Sequence, residues 1–298
     1  MIEATIHPTA ICQLDQVGQG VRVGAFTLVS SSAKIGNRAV VGAHVHVGAH
    51  VHLGDRVVVD GPAHLVEGLQ VEDEVSIGSG VTFSPGNPIT LHRGCRIGAG
   101  ASLAAGITVG ERAIVDAGAV VLQPVPPNVV VSGHPARVVG FAGAEKTRVA
   151  PSTQTSGKVQ VTESKVRGVR AYELPFIADP RGNLTVGEFS KDLPFVPQRY
   201  FITFDVPSFN LRGEHAHKVC EQLLICVRGS CAVVVDDGKR REEFLLDRPT
   251  LGVYVPPMVW ATEYKHSTDS TLLVFASHPY DPADYIREYS EFLECVKH

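Results

Sequence analysis

One apolar residue in every six constrains this chain more than any other feature. The run reads Ile11, Val17, Val23, Val29, Ile35, Val41, Val47, Leu53, Val59, Leu65, Val71, Ile77 and Phe83. It slips by two residues and resumes at Leu91, Ile97, Leu103, Val109, Val115 and Val121. Glycine often follows, as at Gly18, Gly24, Gly36 and Gly98. Two positions earlier stands a small or apolar residue such as Ala33, Val45, Ala101 or Ala119, with Asp15 an exception. Such a hexad is a short strand and a tight corner. Residues i and i−2 point inward together, and glycine relieves the corner. The repeat predicts a solenoid of about six coils, three hexads to a coil.

The pattern stops near residue 140, and the composition changes with it. Up to Gly140 the chain holds two aromatic residues, Phe26 and Phe83, and 20 of its 29 glycines; the other 18 aromatics follow. Residues 142–167 are polar and rich in Ser, Thr and Lys, and are read as a linker. The expected organisation is therefore 1–141, linker 142–167, and a second domain over 168–298. That domain carries short strand signals: RYFITFDV, QLLICV, SCAVVVDDGK, GVYV and TLLVFAS. Asp237-Gly238 marks a hairpin. The end reads as a helix capped by Asp281, with Pro282 in its first turn and Ile286, Tyr289 and Leu293 on one face. The fold class expected is all-β, a solenoid followed by a barrel or jelly roll with a short C-terminal helix.

Charge narrows the function. The net charge is −4, from 27 Lys and Arg against 31 Asp and Glu. Neither half is basic, which argues against a nucleic-acid footprint. No apolar run is long enough to span a bilayer. The six cysteines form no CxxC pair, and MIEATIHPTA has no secretion-signal character. Reduced thiols and a cytoplasmic location are expected.

The hexads resemble those of the hexapeptide-repeat acyltransferases, whose coils form a left-handed parallel β-helix. The stretch GAGASLAAGITVGERAIVDAGAVVLQPVPPNVVVSGHPARVVG, Gly98 to Gly140, resembles the acyl-CoA end of that family. The resemblance implies acetyl-CoA as co-substrate, with pantetheine between neighbouring coils against the backbone around Ala99, Gly100, Ala117 and Gly118. Arg137 would meet CoA phosphates. Family members that acetylate sugars carry a T-N-D-x-x-P-R loop after the phenylalanine. Here Phe83-Ser84-Pro85-Gly86-Asn87-Pro88 stands instead, and Asn87 alone could serve the acceptor. Of the many histidines, His92 borders this loop and is the first choice of base. His46 and His64 should stack one coil apart on an outer face. A pure scaffold is the competing reading of this half.

In the second half, Gly213-Glu214-His215-Ala216-His217, then Glu221 and Gly229, resembles the first cupin motif. His215 and His217 are two apart on a strand and share a face, and Glu221 continues the parity if the strand stays regular. A cupin metal would take these three and a third histidine. The position of that histidine, after Trp260, holds Ala261, so no metal is expected to be required. Two histidines with purely structural roles are the bland alternative. RGEHAHK, ICVRGSCAVVVDDGK, YVPPMVWATEY and LLVFASHPYDPADYIREYSEF together resemble the sugar 3,4-ketoisomerases of dTDP-deoxysugar pathways. The whole chain resembles the bifunctional ketoisomerase/N-acetyltransferases of dTDP-3-acetamido-3,6-dideoxyhexose synthesis.

The resemblance implies two reactions. Moving a ketone from C4 to C3 needs a base near neutral pH and a proton relay, tasks that suit two histidines. His217 is assigned as the base at carbon and His215 as its proton-handling partner, roles that can be exchanged. Arg181 and Arg212 are candidates for sugar or pyrophosphate contacts, or else surface ion pairs. Arg181 favours the galacto (Fuc3NAc) product. The second reaction acetylates an amine at C3, so a PLP-dependent aminotransferase must act between the two. The expected assembly is a homotrimer, or a hexamer of two trimers. A sugar-binding cupin without chemistry, on a β-helix scaffold, is the alternative from another class.

Overall fold

The computed structural model describes residues 3–14, 17–149, 158–189, 191–207 and 210–297. It divides into two units, Met1–Ala142 and Gly143–His298. Strands of two or three residues, separated by tight corners, build the first unit. Each strand lies parallel on the strand one coil away: Val40 pairs with Val58, Gln70 with His52, and His46 with His64. Three faces result. The first runs through Arg22–Val23, Val40–Val41, Val58–Val59, Ser76–Ile77, Arg96–Ile97 and Ile114–Val115. The second carries Leu28–Val29, Val45–Val47, Ala63–Leu65, Thr82–Phe83, Ser102–Leu103 and Val120–Val121. The third carries Lys34–Ile35, His52–Leu53, Gln70–Val71, Thr90–Leu91 and Thr108–Val109.

The inward stacks are those of the hexads. From Val23 to Val121 every hexad residue is buried, and so are the partners two positions earlier, such as Val57, Leu69, Cys95 and Ala119. Stacked aliphatic side chains contribute about 1.5–3 kcal/mol each on burial. The offset between coils grows where Ser76 pairs with Arg96, because the exposed loop 84–88 adds two residues. The solenoid has about seven turns, against about six expected. The additional pairing comes from ends that fall outside the hexad register. Thr5–Ile6 begins the first face, and the hairpin of Val129–Gly133 and Ala136–Phe141 closes it.

The first hexad is a correction. Cys12, and not Ile11, pairs with Val29. One residue is missing from the spacing here, so Ile11 turns outward and is 60% exposed. Val17 is half-buried, and Asp15 lies outside the described residues.

Two six-stranded sheets form the second unit. One orders Ala144–Thr147, Arg241–Leu246, Cys231–Asp236, Trp260–Tyr264, Arg212–His217 and Tyr285–Ile286. The other orders Gln160–Glu163, Arg170–Glu173, Leu251–Val255, Gln222–Arg228, Thr271–Ala276 and Arg199–Phe204. Leu224, Cys226, Val233, Phe244, Val253 and Val274 belong to the apolar core they share. The predicted strands are all present, and Asp237-Gly238 lies in the turn joining Cys231–Asp236 to Arg241–Leu246.

Two expectations are corrected. The segment 142–167 is not only a linker, since Ala144–Thr147 pairs with Arg241–Leu246 and Gln160–Glu163 pairs with Arg170–Glu173. Its polar residues do structural work: Thr147 and Ser164 both donate hydrogen bonds to the buried Glu242 carboxylate. Residues 150–157 lie outside the described set. The C-terminal helix is Tyr289–Val296 and starts later than the sequence suggested. Asp281 caps a separate short turn, Pro282–Asp284, by accepting the Ala283 N–H. The helix packs Phe292 and Val296 against Ala216, Ile286 and Trp260. Among the described residues no helix is long and apolar enough to cross a membrane.

The register slip has a direct test. Leu65→Ala, in the fully buried stack, is expected to cost about 2–5 kcal/mol in reversible unfolding. Ile11→Ser should change stability by less than about 0.5 kcal/mol. A large loss at Ile11 would contradict the slipped register.

Candidate functional site

His215 and His217 come together in the barrel, as their spacing requires. Their strand sends Ala216 outward to the helix and both imidazoles inward. The ring centroids are 4.9 Å apart, and Tyr285 covers both rings at 4.9 and 4.4 Å. Arg287 lies over the Tyr285 ring at 4.3 Å.

A backbone distortion aims His215. Gly213 and Glu214 both adopt left-handed φ, +75° and +51°, at a bulge in the pairing with Trp260–Tyr264. A Cβ on Gly213 would lie 2.8 Å from the Ala261 carbonyl oxygen, so only glycine fits. The Gly213 carbonyl then accepts the His215 Nδ1–H at 2.9 Å. That bond fixes the tautomer and leaves the Nε2 lone pair toward the lumen. Burial drives the His215 pKa down, opposed by the Gly213 bond and assisted by His217 and Arg287, to about 4.

His217 is held differently. Its Nδ1 donates to Asp284 Oδ2 at 2.7 Å, and its Nε2 receives the Gln222 amide at 3.1 Å. Asp284 also accepts the backbone N–H groups of Val219, at 2.7 Å, and Cys220, at 3.3 Å. Burial pushes the Asp284 carboxyl up, but those amides and the imidazole outweigh it and hold it below the usual carboxylate range. For His217 burial dominates and lowers the pKa against the opposing pull of Asp284; the charges of Arg199 and Arg287 lower it further.

Neither Asp284 nor Gln222 was among the residues expected here. Asp284 is 67 positions from His217, and no local pattern joins them. Gln222 takes the place expected for Glu221. The strand ends at His217 and the chain crosses to the other sheet before Gln222, so parity is lost. Glu221 faces the outer side, where it accepts the Tyr254 hydroxyl at 2.6 Å.

This bears on the cupin metal. Glu221 does not share a face with the histidines, and Ala261, in the third-histidine position, is the buried cross-strand partner of His215. The donor set of a metal cupin does not fit these residues. A different trio, His217, Cys220 and Asp284, has ligand atoms within 4.8 Å of one another, but the Asp284 oxygens are committed to the amides and the imidazole.

The two arginines are peripheral. Arg181 makes a two-pronged contact with Asp179, with both guanidinium bonds at 2.9 Å, and its side chain is 91% exposed. Arg212 pairs across the ladder with Glu263, whose carboxyl burial pushes up to about 7 against the pull of Arg212.

In the solenoid, His46 and His64 stack at 4.7 Å as expected. The residues expected for acyl transfer occupy three different corners and the closing hairpin. Ala99–Gly100 and Ala117–Gly118 are exposed turns, one above the other, between the first and second faces. Their Gly100 and Gly118 amides already donate to Ser79 and Ala99 carbonyls, both at 2.9 Å. Asn87 lies in the exposed loop between the second and third faces, where its carbonyl accepts the Gly106 amide at 3.0 Å. His92 begins the corner between the third and first faces and bonds Glu72 at 3.0 Å. It is five residues beyond Asn87, about 16 Å along an extended strand. Arg137 is exposed on the closing hairpin, across from Ser132. One chain alone does not bring these groups together.

The lowered His215 pKa predicts a measurable titration. The His215 ring signal should change with a midpoint about 4, and a midpoint about 6.5 would contradict the buried geometry. The unfolded chain binds more protons between those values. His215 therefore contributes stability above about pH 6.5 that is lost as the pH falls toward about 4.

Comparison with known proteins agrees with both halves. The family model FdtA, described as WxcM-like, C-terminal, matches residues 167–297, and a hexapeptide repeat of succinyl-transferase matches residues 88–123. A TDP-4-oxo-6-deoxy-alpha-D-glucose-3,4-oxoisomerase from Aneurinibacillus thermoaerophilus is 45% identical over 120 residues, 40% of this chain and 86% of that protein. A serine acetyltransferase from Salmonella typhimurium is 40% identical over 99 residues, 30% of this chain; the chain spans 36% of its length. Among solved structures, the TDP-quinovose 3,4-ketoisomerase WlaRB from Campylobacter jejuni is 40% identical, covering 43% of this chain and 99% of that one, with a TM-score of 0.42. From residue 167 onward the chain belongs to the FdtA family of WxcM-like proteins, fused behind a hexapeptide-repeat β-solenoid.

Proposed function

We propose that the barrel is a dTDP-sugar 3,4-ketoisomerase that converts dTDP-4-keto-6-deoxyglucose to the 3-keto sugar. The observation that carries this is the pairing of half-buried His215 with buried His217 and its Asp284 anchor. The geometry favours exchanging the roles first assigned. His215 has a free Nε2 and a fixed tautomer, so it is the base that takes the C3 proton. His217, with both nitrogens bonded, relays protons with Asp284 and Gln222 behind it. A lowered pKa suits the base: it is neutral, hence available, at pH 7. The sugar's own C–H and O–H groups supply the protons and electrons, so no metal is demanded. Arg181 supports the galacto product, and Arg212 a contact to the nucleotide.

Incubation with dTDP-4-keto-6-deoxyglucose in D₂O, followed by NMR, tests the reading. A 3-keto product with deuterium entering at C3 or C4 is expected. His215→Asn should lower turnover about 10²–10⁴-fold. A protein that binds the nucleotide sugar without exchange would be a sensor instead. Chelation should leave turnover unchanged, whereas loss on EDTA treatment restored by one metal would contradict the metal-free mechanism.

The solenoid is proposed to N-acetylate dTDP-3-amino-3,6-dideoxyhexose with acetyl-CoA. Three separated corners call for neighbouring copies, so the working unit is a homotrimer, or a hexamer of two trimers, with CoA between prisms. Within that unit His92 is the base, Asn87 meets the acceptor, and Ala99, Gly100, Ala117, Gly118 and Arg137 line the CoA groove. Supplying only the keto sugar and acetyl-CoA should yield no acetylated product. Adding a PLP-dependent C3 aminotransferase with an amino donor should complete the route. Failure to acetylate the purified amino sugar would leave the solenoid a scaffold.

A further inference from the structure

Arg199 and Arg287 are charged groups near His217 that the mechanism above leaves unused, and Arg287 is engaged on the Tyr285 ring. The strand that begins at Arg199, Arg199–Phe204, is the edge of the second sheet. Arg199 pairs with Ala276, and Ala276 pairs in turn with Gln222. Residues in one such row share a face, and Gln222 already reaches His217. Further along, Phe201 pairs with Val274 and Thr203 with Leu272, both core residues of the barrel. Arg199 therefore enters the lumen, and the fully buried Ala276 between it and Gln222 has only a methyl group to offer.

The guanidinium lies 5.7 Å from the Phe201 ring centroid and 5.5 Å from that of Tyr280. Tyr280 in turn packs on Tyr285, which covers both histidines. The Nε of Arg199 is buried and has no hydrogen-bond partner. A buried donor left unmade is unfavourable, and an acceptor arriving with the substrate would relieve it.

We propose that Arg199 is a catalytic residue of the isomerisation, donating to the sugar oxygen that becomes anionic. This rests on the ketoisomerase reading. When His215 takes the C3 proton, the C–H pair forms the C3=C4 double bond and the C4 carbonyl pair moves onto O4. A cationic donor at O4 stabilises that enediolate more than the ketone, which is the requirement for lowering the barrier. The second half reverses the flow. O3 gives up its proton as C3=O forms, the C3=C4 pair takes at C4 the proton held by His215, and the proton released from O3 passes through His217 to O4, which becomes a hydroxyl. No redox partner is needed, because C3 is oxidised as C4 is reduced.

The experiment uses the full chain with dTDP-4-keto-6-deoxyglucose, and separately measures dTDP affinity. Arg199→Ala should lower kcat by about 10²–10³-fold while dTDP affinity stays within about threefold. Millimolar guanidinium should restore part of the lost turnover, which a structural role would not allow. Should Arg199→Ala not fold by circular dichroism, Arg199→Lys carries the test, with a kcat loss of at least about tenfold at unchanged dTDP affinity. An unchanged kcat overturns the proposal. So does a loss that appears equally in dTDP affinity, which would place Arg199 on the diphosphate. Wild-type protein that leaves the keto sugar untouched would sink the ketoisomerase reading and this proposal together, whereas active wild type beside an unaffected variant would sink only this one.

Discussion

Asp284 reaches across 64 or more residues of sequence to hold the stretch from His217 to Cys220, and the barrel site depends on it. Its oxygens take the amides of Val219 and Cys220 and the imidazole of His217. The amides belong to the crossover between sheets, so the same carboxylate that orients the imidazole also fixes the turn that delivers Gln222. Asp284 is itself fixed from behind. The following strand, Tyr285–Ile286, pairs with Ala216 and His217, and Ile286 packs on Phe292 of the terminal helix. A second buried network secures that helix: Tyr289 donates to Asp236 at 2.6 Å and accepts from Arg241 at the same distance. Chemistry in the lumen is thus coupled to packing on the outside of the sheet.

The solenoid shows what a repeat makes legible. Its inward residues could be named one by one, because a period of six repeats the same environment in each hexad and side-chain direction follows from position alone. Cys12 breaks the count because a missing residue changes pairing without changing composition. The site in the barrel was legible only where it is local. His215 and His217 share a strand, and their common face follows from alternation. Gln222 and Arg199 reach the same lumen from other strands and Asp284 from the short turn Pro282–Asp284, and long-range pairing has no signature in a single sequence. Glu221 misled for a definite reason: alternation holds only within a strand, and the chain changes sheets between His217 and Gln222.

The two histidines illustrate how environment divides one residue type into two roles. His217 is buried and His215 half-buried, and both have lowered pKa values. One gives its Nδ1 proton to a neutral carbonyl and keeps a free lone pair. The other gives it to a carboxylate, which would favour an imidazolium if one formed, and has its second nitrogen already bonded. Burial keeps both neutral in the resting protein, while the carboxylate offers His217 a way to carry charge briefly. Asymmetry of this kind is what proton movement between two carbons requires, since one group must accept while another supplies.

The corner geometry constrains the other half in the opposite direction. A triangular solenoid puts its side chains on separate edges, and a coil of eighteen residues is too short to fold back across its own core. Groups at different corners therefore meet only through another molecule, either a substrate long enough to wrap or a neighbouring prism. The barrel concentrates its functional groups inside one chain, whereas the solenoid distributes them over its surface. The chemistry separates the halves in the same way. Under the proposed function, a ketone leaving the barrel is not a nucleophile and would give the solenoid nothing to acylate until nitrogen replaced oxygen at C3. On that reading no contact between the two sites is required for the proposed reactions to follow one another, and tethering would serve supply of the two halves in equal number more than transfer of an intermediate.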